Sequence, residues 1–141
     1  MITAIEIENF KAIGKRVRVE LKPLTLIFGP NSAGKSSIVQ AIQYAREIFE
    51  RGNFDADRTV AGGDVVDLGG FRQFVHGGNE DLPVRIRFDL DLQTSRLPPY
   101  TIEELIGEFG DAEIENSINR LTSAWAAVQL RWNATRQEVH N

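Results

Sequence analysis

Eight residues near the start of the chain limit the available folds more than any other stretch: Gly29-Pro30-Asn31-Ser32-Ala33-Gly34-Lys35-Ser36. They fit the pattern G-x-x-x-x-G-K-[ST]. Such a loop wraps an anion with its backbone N–H groups, and it needs glycine where a Cβ would collide or φ must be positive. The flanking residues agree with this. Leu24-Thr25-Leu26-Ile27-Phe28 is a continuous apolar run, which predicts a strand buried on both faces. After the loop, Ile38, Val39, Ile42, Ala45 and Phe49 recur at helical spacing and predict a helix packed by one face on a sheet. Arg51-Gly52-Asn53 should stop it. Strand, loop and helix together aim a helix N-terminus, with its partial positive charge, at a phosphate. Lys35 supplies a full charge for β and γ phosphates, and the Ser36 hydroxyl suits Mg²⁺. The binding set is Gly29, Asn31, Ser32, Ala33, Gly34, Lys35, Ser36 and Ser37, with a nucleotide's phosphates and Mg²⁺ as the expected ligands.

The rest of the chain reads as a mixed α/β protein with an antiparallel part. Ile5 and Ile7 alternate with Glu6 and Glu8, and Val17 and Val19 with Arg16, Arg18 and Glu20. Two strands about the turn at Gly14 make a hairpin. Residues 52–83 are glycine-rich and loop-like, with a short apolar patch from Phe71 to Val75. Val84, Ile86, Phe88, Leu90 and Leu92 then alternate with Arg85, Arg87, Asp89 and Asp91. One face should be buried and one wet, as in an antiparallel strand. Beyond Pro98-Pro99, Thr101 and Asp111 suit helix N-caps, and Ala127 to Trp132 alternates as a final strand. We therefore expect a nucleotide-binding lobe over residues 1–95, and a helical segment and final strand over residues 96–141.

Composition excludes several classes. The 141 residues contain no cysteine, so there is no thiolate metal site and no cysteine nucleophile. His76 and His140 are too far apart in sequence to suggest zinc. No apolar run is long enough to cross a membrane as a helix, and the N-terminus lacks the pattern of a secretory signal. A cytoplasmic location is the expectation. The net charge is −4, and the basic residues Lys11, Lys15, Arg16 and Arg18 are too few for a broad nucleic-acid footprint.

Small GTPases and nucleotide kinases usually place the loop after their first strand. Here a hairpin precedes it, as in the ATP-binding-cassette class. More narrowly, Asn9-Phe10-Lys11-Ala12-Ile13, Leu21-Lys22-Pro23-Leu24-Thr25-Leu26-Ile27 and Gly29 to Ser37 resemble the N-terminal lobe of the SMC/RecF-like branch. That branch includes chromosome-maintenance, recombination-repair and overcoming-lysogenization-defect-type ATPases. Val66 to Phe71 and Phe74 to Gly77, before the Val84–Leu92 strand, are similar to a bacterial group of these ATPases, several of which serve in phage defence. The resemblance spans residues 1–92. It implies an ABC-type head, incomplete in this chain, with an ATP-binding lobe over residues 1–95 and the start of an insertion or arm over residues 96–141. Such a head pairs with a second copy around ATP and Mg²⁺ and acts on DNA or an effector protein. It also implies that Lys11 lies near the nucleotide phosphates, the alternative being a plain surface lysine. Gln73 is either the Q-loop glutamine that senses Mg²⁺ or an exposed polar residue, and Arg72 has the same standing.

Hydrolysis also needs a carboxylate near Mg²⁺ and a group that orients the attacking water. No four-residue apolar strand ends in Asp-Glu, and no Leu-Ser-Gly-Gly-type signature is present. No catalytic residue is identified, and turnover by this chain alone is not expected. A nucleotide-sensing, non-enzymatic subunit is the alternative. A small GTPase or kinase is a third reading. Asp67-Leu68-Gly69-Gly70 fits the GTPase D-x-x-G, but no Asn/Thr-Lys-x-Asp follows.

Overall fold

The computed structural model describes residues 1–31, 33–52, 68–93, 120–133 and 138–140. The elements, in order, are β1 (Ile2–Glu8), β2 (Val17–Glu20), α1 (Lys35–Arg51), a single helical turn α2 (Phe71–Phe74), β3 (Val84–Asp91), β4 (Ser123–Asn133) and β5 (Glu138–His140). A 3₁₀ turn, His76–Gly78, follows α2. The strands form one five-stranded sheet in the order β2-β1-β3-β4-β5, with every pair antiparallel.

The alternation in sequence sets the two faces of this sheet. Ile5, Ile7, Ile86, Phe88, Val128 and Leu130 point inward. They meet Ile38, Ala41, Tyr44, Ala45 and Ile48 of α1, together with Phe10, Phe71 and Phe74. The rings of Phe10, Tyr44 and Phe74 lie within 5.2–6.5 Å of one another, and Phe71 stacks on Trp132 at 6.0 Å.

The outer face carries charge in alternating signs. Glu6 stands opposite Arg18 on one side and Arg87 on the other, and Glu8 opposite Arg85. Arg18 donates to Glu6 at 3.0 Å, to Glu20 at 2.7 Å and to Asp89 at 2.5 Å. The Arg18 guanidinium holds the Asp89 carboxyl below the usual carboxylate range, with Arg87 assisting and burial opposing. The same bonds push Arg18 upward, Asp89 contributing most. Arg87 also covers the exposed ring of Trp125, 4.9 Å from its centroid.

Both strands of the predicted hairpin form. The Val84–Leu92 strand forms as Val84–Asp91 with its expected buried and wet faces, and the strand expected at Ala127–Trp132 runs from Ser123 to Asn133 but is not the last, since β5 follows and pairs with it. β4 belongs to the stretch read as the start of an arm, yet it pairs with β3 from Val84–Leu130 to Asp91–Ser123. The predicted helix ends where expected, with the Gly52 N–H donating to the Ile48 carbonyl. The helices expected at Thr101 and Asp111 lie outside the described residues.

One expectation fails and one holds in part. Leu24–Phe28 forms no strand among the described residues, and Leu24, Leu26 and Phe28 are 78, 66 and 85 % exposed. A strand buried on both faces needs a neighbour on each side, and the antiparallel sheet runs elsewhere. Of the predicted face of α1, Ile38 and Ala45 are buried and Ile42 packs against the core, but Ala41, Tyr44 and Ile48 join them inside, whereas Val39 and Phe49 are half exposed. The sequence stripe followed apolarity alone, while the aromatic cluster with Phe10 and Phe74 draws the Tyr44 side of the helix inward.

Candidate phosphate-binding site

The site is built where the Gly29–Gly34 loop enters α1. Gly34 is the N-cap, at φ 87° and ψ 5°, a left-handed conformation that strains any residue with a Cβ. No side chain caps the helix, and its first turn contains no acidic residue. The N–H groups of a first turn have no partner within the helix, and among the described residues no side chain takes them up. Those groups, the helix dipole and the exposed Ser36 hydroxyl face outward together. The arrangement suits a phosphate with an accompanying Mg²⁺. A nucleotide bound there would be held by the first-turn N–H groups and Lys35, and Mg²⁺ by Ser36.

Lys35 folds back over its own loop. Its Nζ donates to the carbonyls of Gly29 at 2.7 Å and Pro30 at 2.6 Å. The ammonium thus sits across the loop it would share with an anion. A bound phosphate would draw it off two neutral acceptors onto a charged one, a stronger class of hydrogen bond. The Ala33 N–H is engaged within the loop, donating to Pro30 at 3.3 Å. Asn31 is exposed, and Ser32 lies outside the described residues.

Ser37 faces the opposite way. It is buried, and its Oγ accepts from the Ala12 N–H at 3.4 Å. This bond ties α1 to a tight hairpin in which Phe10 and Ile13 exchange backbone hydrogen bonds at 2.8 Å across Lys11 and Ala12. A Cβ on Gly34 would lie 3.5 Å from Ile13 and 3.8 Å from Ala12, so this hairpin abuts the end of the phosphate loop. The structure thereby brings the Lys11 turn to the helix start.

Gln73 lies on α2, where a Cβ on Gly69 would come within 2.1 Å of its Oε1. Its side chain therefore folds back over Gly69. Arg72 is exposed and is 3.9 Å from Glu80. Sequence reading missed His76. Its Nδ1 lies 2.7 Å from the Lys11 carbonyl, a partner 65 residues away. Only the adjoining Gly77-Gly78 hinted at a tight turn there.

Glu6, Glu8 and Asp89 are paired with arginines on the outer sheet face, away from α1. A shallow groove of about 280 Å³ on that face is lined by Glu6, Glu8, Arg16, Arg85, Arg87 and Trp125, and it takes no part in the phosphate site. Among the described residues no acidic or histidine cluster suits a metal, and no helix is long and apolar enough to cross a membrane.

Among curated proteins, none matches the chain. A family of ATPase domains does match, over residues 1–86, the stretch that contains β1, β2, the phosphate loop, α1 and the first part of β3. The loop geometry and this match agree, and the chain belongs to the AAA ATPase domain family.

Proposed function

We propose that the chain is the ATP-binding N-terminal part of an SMC/RecF-like ATPase head with a P-loop NTPase fold. In this reading ATP drives two heads to dimerise, and the movement acts on DNA repair or a phage-defence effector. The observation that carries nucleotide binding is the uncapped start of α1 behind a left-handed Gly34, with Lys35 poised over the loop. Gly29 and residues Asn31 to Ser37 form the phosphate site, Ser36 ligates Mg²⁺, and Lys11 and Gln73 are its outlying candidates. Leu24–Phe28 supports a head that is completed by further strands. It is apolar, exposed and leads straight into the loop, so neighbouring strands would remove it from water.

The second reading is a nucleotide-sensing subunit without turnover. It is compatible with the pairing of Glu6, Glu8 and Asp89 with arginines on the outer sheet face. Titration with a fluorescent ATP analogue in Mg²⁺ tests both. Lys35→Ala removes a charge-assisted contact worth about 1.5–3 kcal/mol, so affinity is expected to fall about ten- to a hundredfold. Equal binding by wild type and variant would refute the site. Turnover by the isolated chain, abolished by Lys35→Ala, would refute the sensing reading.

A further inference from the structure

The hairpin at Lys11 is built in a costly way. Lys11 has φ 49° and Asn9 φ 57°, the two non-glycine residues with positive φ among those described. Asparagine tolerates this conformation, and Asn9 is further held by Nδ2 donating to the Leu82 carbonyl at 3.0 Å. Lysine tolerates it poorly. A positive φ at the first residue of a two-residue hairpin loop is normally taken by glycine. Such strain persists only where the surroundings over-determine the conformation.

The surroundings here come from one segment, Phe74 to His76. The Lys11 N–H donates to the Phe74 carbonyl at 2.6 Å, and the His76 N–H donates to the Asn9 carbonyl at 3.1 Å. The His76 ring closes the clamp. A carbonyl only accepts, so the Nδ1 at 2.7 Å from the Lys11 oxygen carries the hydrogen. The other side of the ring fills the space a side chain would take at position 14, since a Cβ on Gly14 would come within 2.6 Å of Nε2. The hairpin is thus gripped on one side by Phe74–His76 and joined on the other to α1 through Ala12 and Ser37.

We propose that His76 is a positioning residue that couples the phosphate loop to the Phe71–Gly78 segment. Phosphate bound at the start of α1 fixes Ser37 and, through it, the hairpin tip. His76 passes that restraint to the segment that carries Gln73. This rests on the nucleotide-binding reading above.

Amide hydrogen exchange with and without saturating Mg–ATP tests the coupling. In the wild type, exchange is expected to slow in both 29–37 and 71–78, the second by about fivefold or more, the lower end of ordinary coupling. His76→Ala, an exposed position, keeps the first effect and loses the second. Because coupling is reciprocal, its ATP affinity falls by the same factor. His76→Asn, which can present an amide N–H where Nδ1 lies, restores both. Gly14→Ala displaces the ring and reproduces the loss. Retention of the second effect in His76→Ala, or loss of both effects in that variant while it remains folded, overturns the proposal. Slowing confined to 29–37 in the wild type overturns the coupling and spares the nucleotide site. No slowing anywhere overturns both.

Discussion

The antiparallel sheet with α1 and the stretch from Leu24 to Gly34 are both apolar in sequence, yet they end differently. In the sheet, each inward side chain finds a partner supplied by a strand nearby in space. Ile5 and Phe88, or Ile86 and Val128, face one another across adjacent strands and close over Tyr44 and Phe74. In the other stretch, Leu24, Leu26 and Phe28 face water. Antiparallel strands can be joined by short turns and satisfy one another locally, whereas a strand buried on both faces depends on crossover connections that bring parallel neighbours. The first region is finished among the described residues. The second has no strand partner among the described residues.

Removing the centre of the finished region should have the largest effect. Phe74 is fully buried among Phe10, Tyr44 and Phe71, so Phe74→Ala is expected to cost about 3–5 kcal/mol in urea unfolding. A loss below about 1 kcal/mol would mean that the aromatic cluster is not the core in solution. Gly34→Ala probes the junction of the two regions. Ala12 and Ile13 leave room for the new methyl, so the cost is conformational, about 1–2 kcal/mol, and nucleotide affinity should fall with it. Unchanged stability and affinity would show that the left-handed turn is not required.

The unfinished region should respond least to a core-type substitution. Phe28→Ser is expected to change stability by no more than about 0.5 kcal/mol and to reduce self-association in sedimentation. A cost like that of Phe74→Ala would erase the contrast between the regions. The smallest effect lies on the outer sheet face. Asp89 is held below its ordinary value chiefly by Arg18, so its pairing stabilises the fold fully above the unfolded value of about 3.9. That contribution disappears as pH falls through the lower folded value. Arg18→Met should therefore be less stable than the wild type near neutrality, with the gap closing below about pH 4 in a series of urea melts. A gap that widened on acidification would contradict the pairing.

Much of the site was legible because its demands are local. A phosphate loop needs its glycines, lysine and serine within eight residues, and the helix follows directly. The roles within the set were less legible. Ser37 belonged to the expected binding set by position, but its burial against Ala12 depends on a hairpin 25 residues away in sequence. His76 and Gly14 could not be paired from sequence, since neither carries a signal that points to the other.

By itself the sequence determined the alternating strands, the extent of α1 and the phosphate loop, because each follows from side-chain period or backbone geometry over a few residues. Only the tertiary structure decided that Tyr44 rather than Phe49 is buried on α1, that Leu24–Phe28 lies open, and that the Lys11 hairpin is clamped between α1 and His76. The clamp depends on partners 25 to 65 residues away. A sequence states that a segment must be buried or strained, while the packed fold decides which distant groups meet that demand.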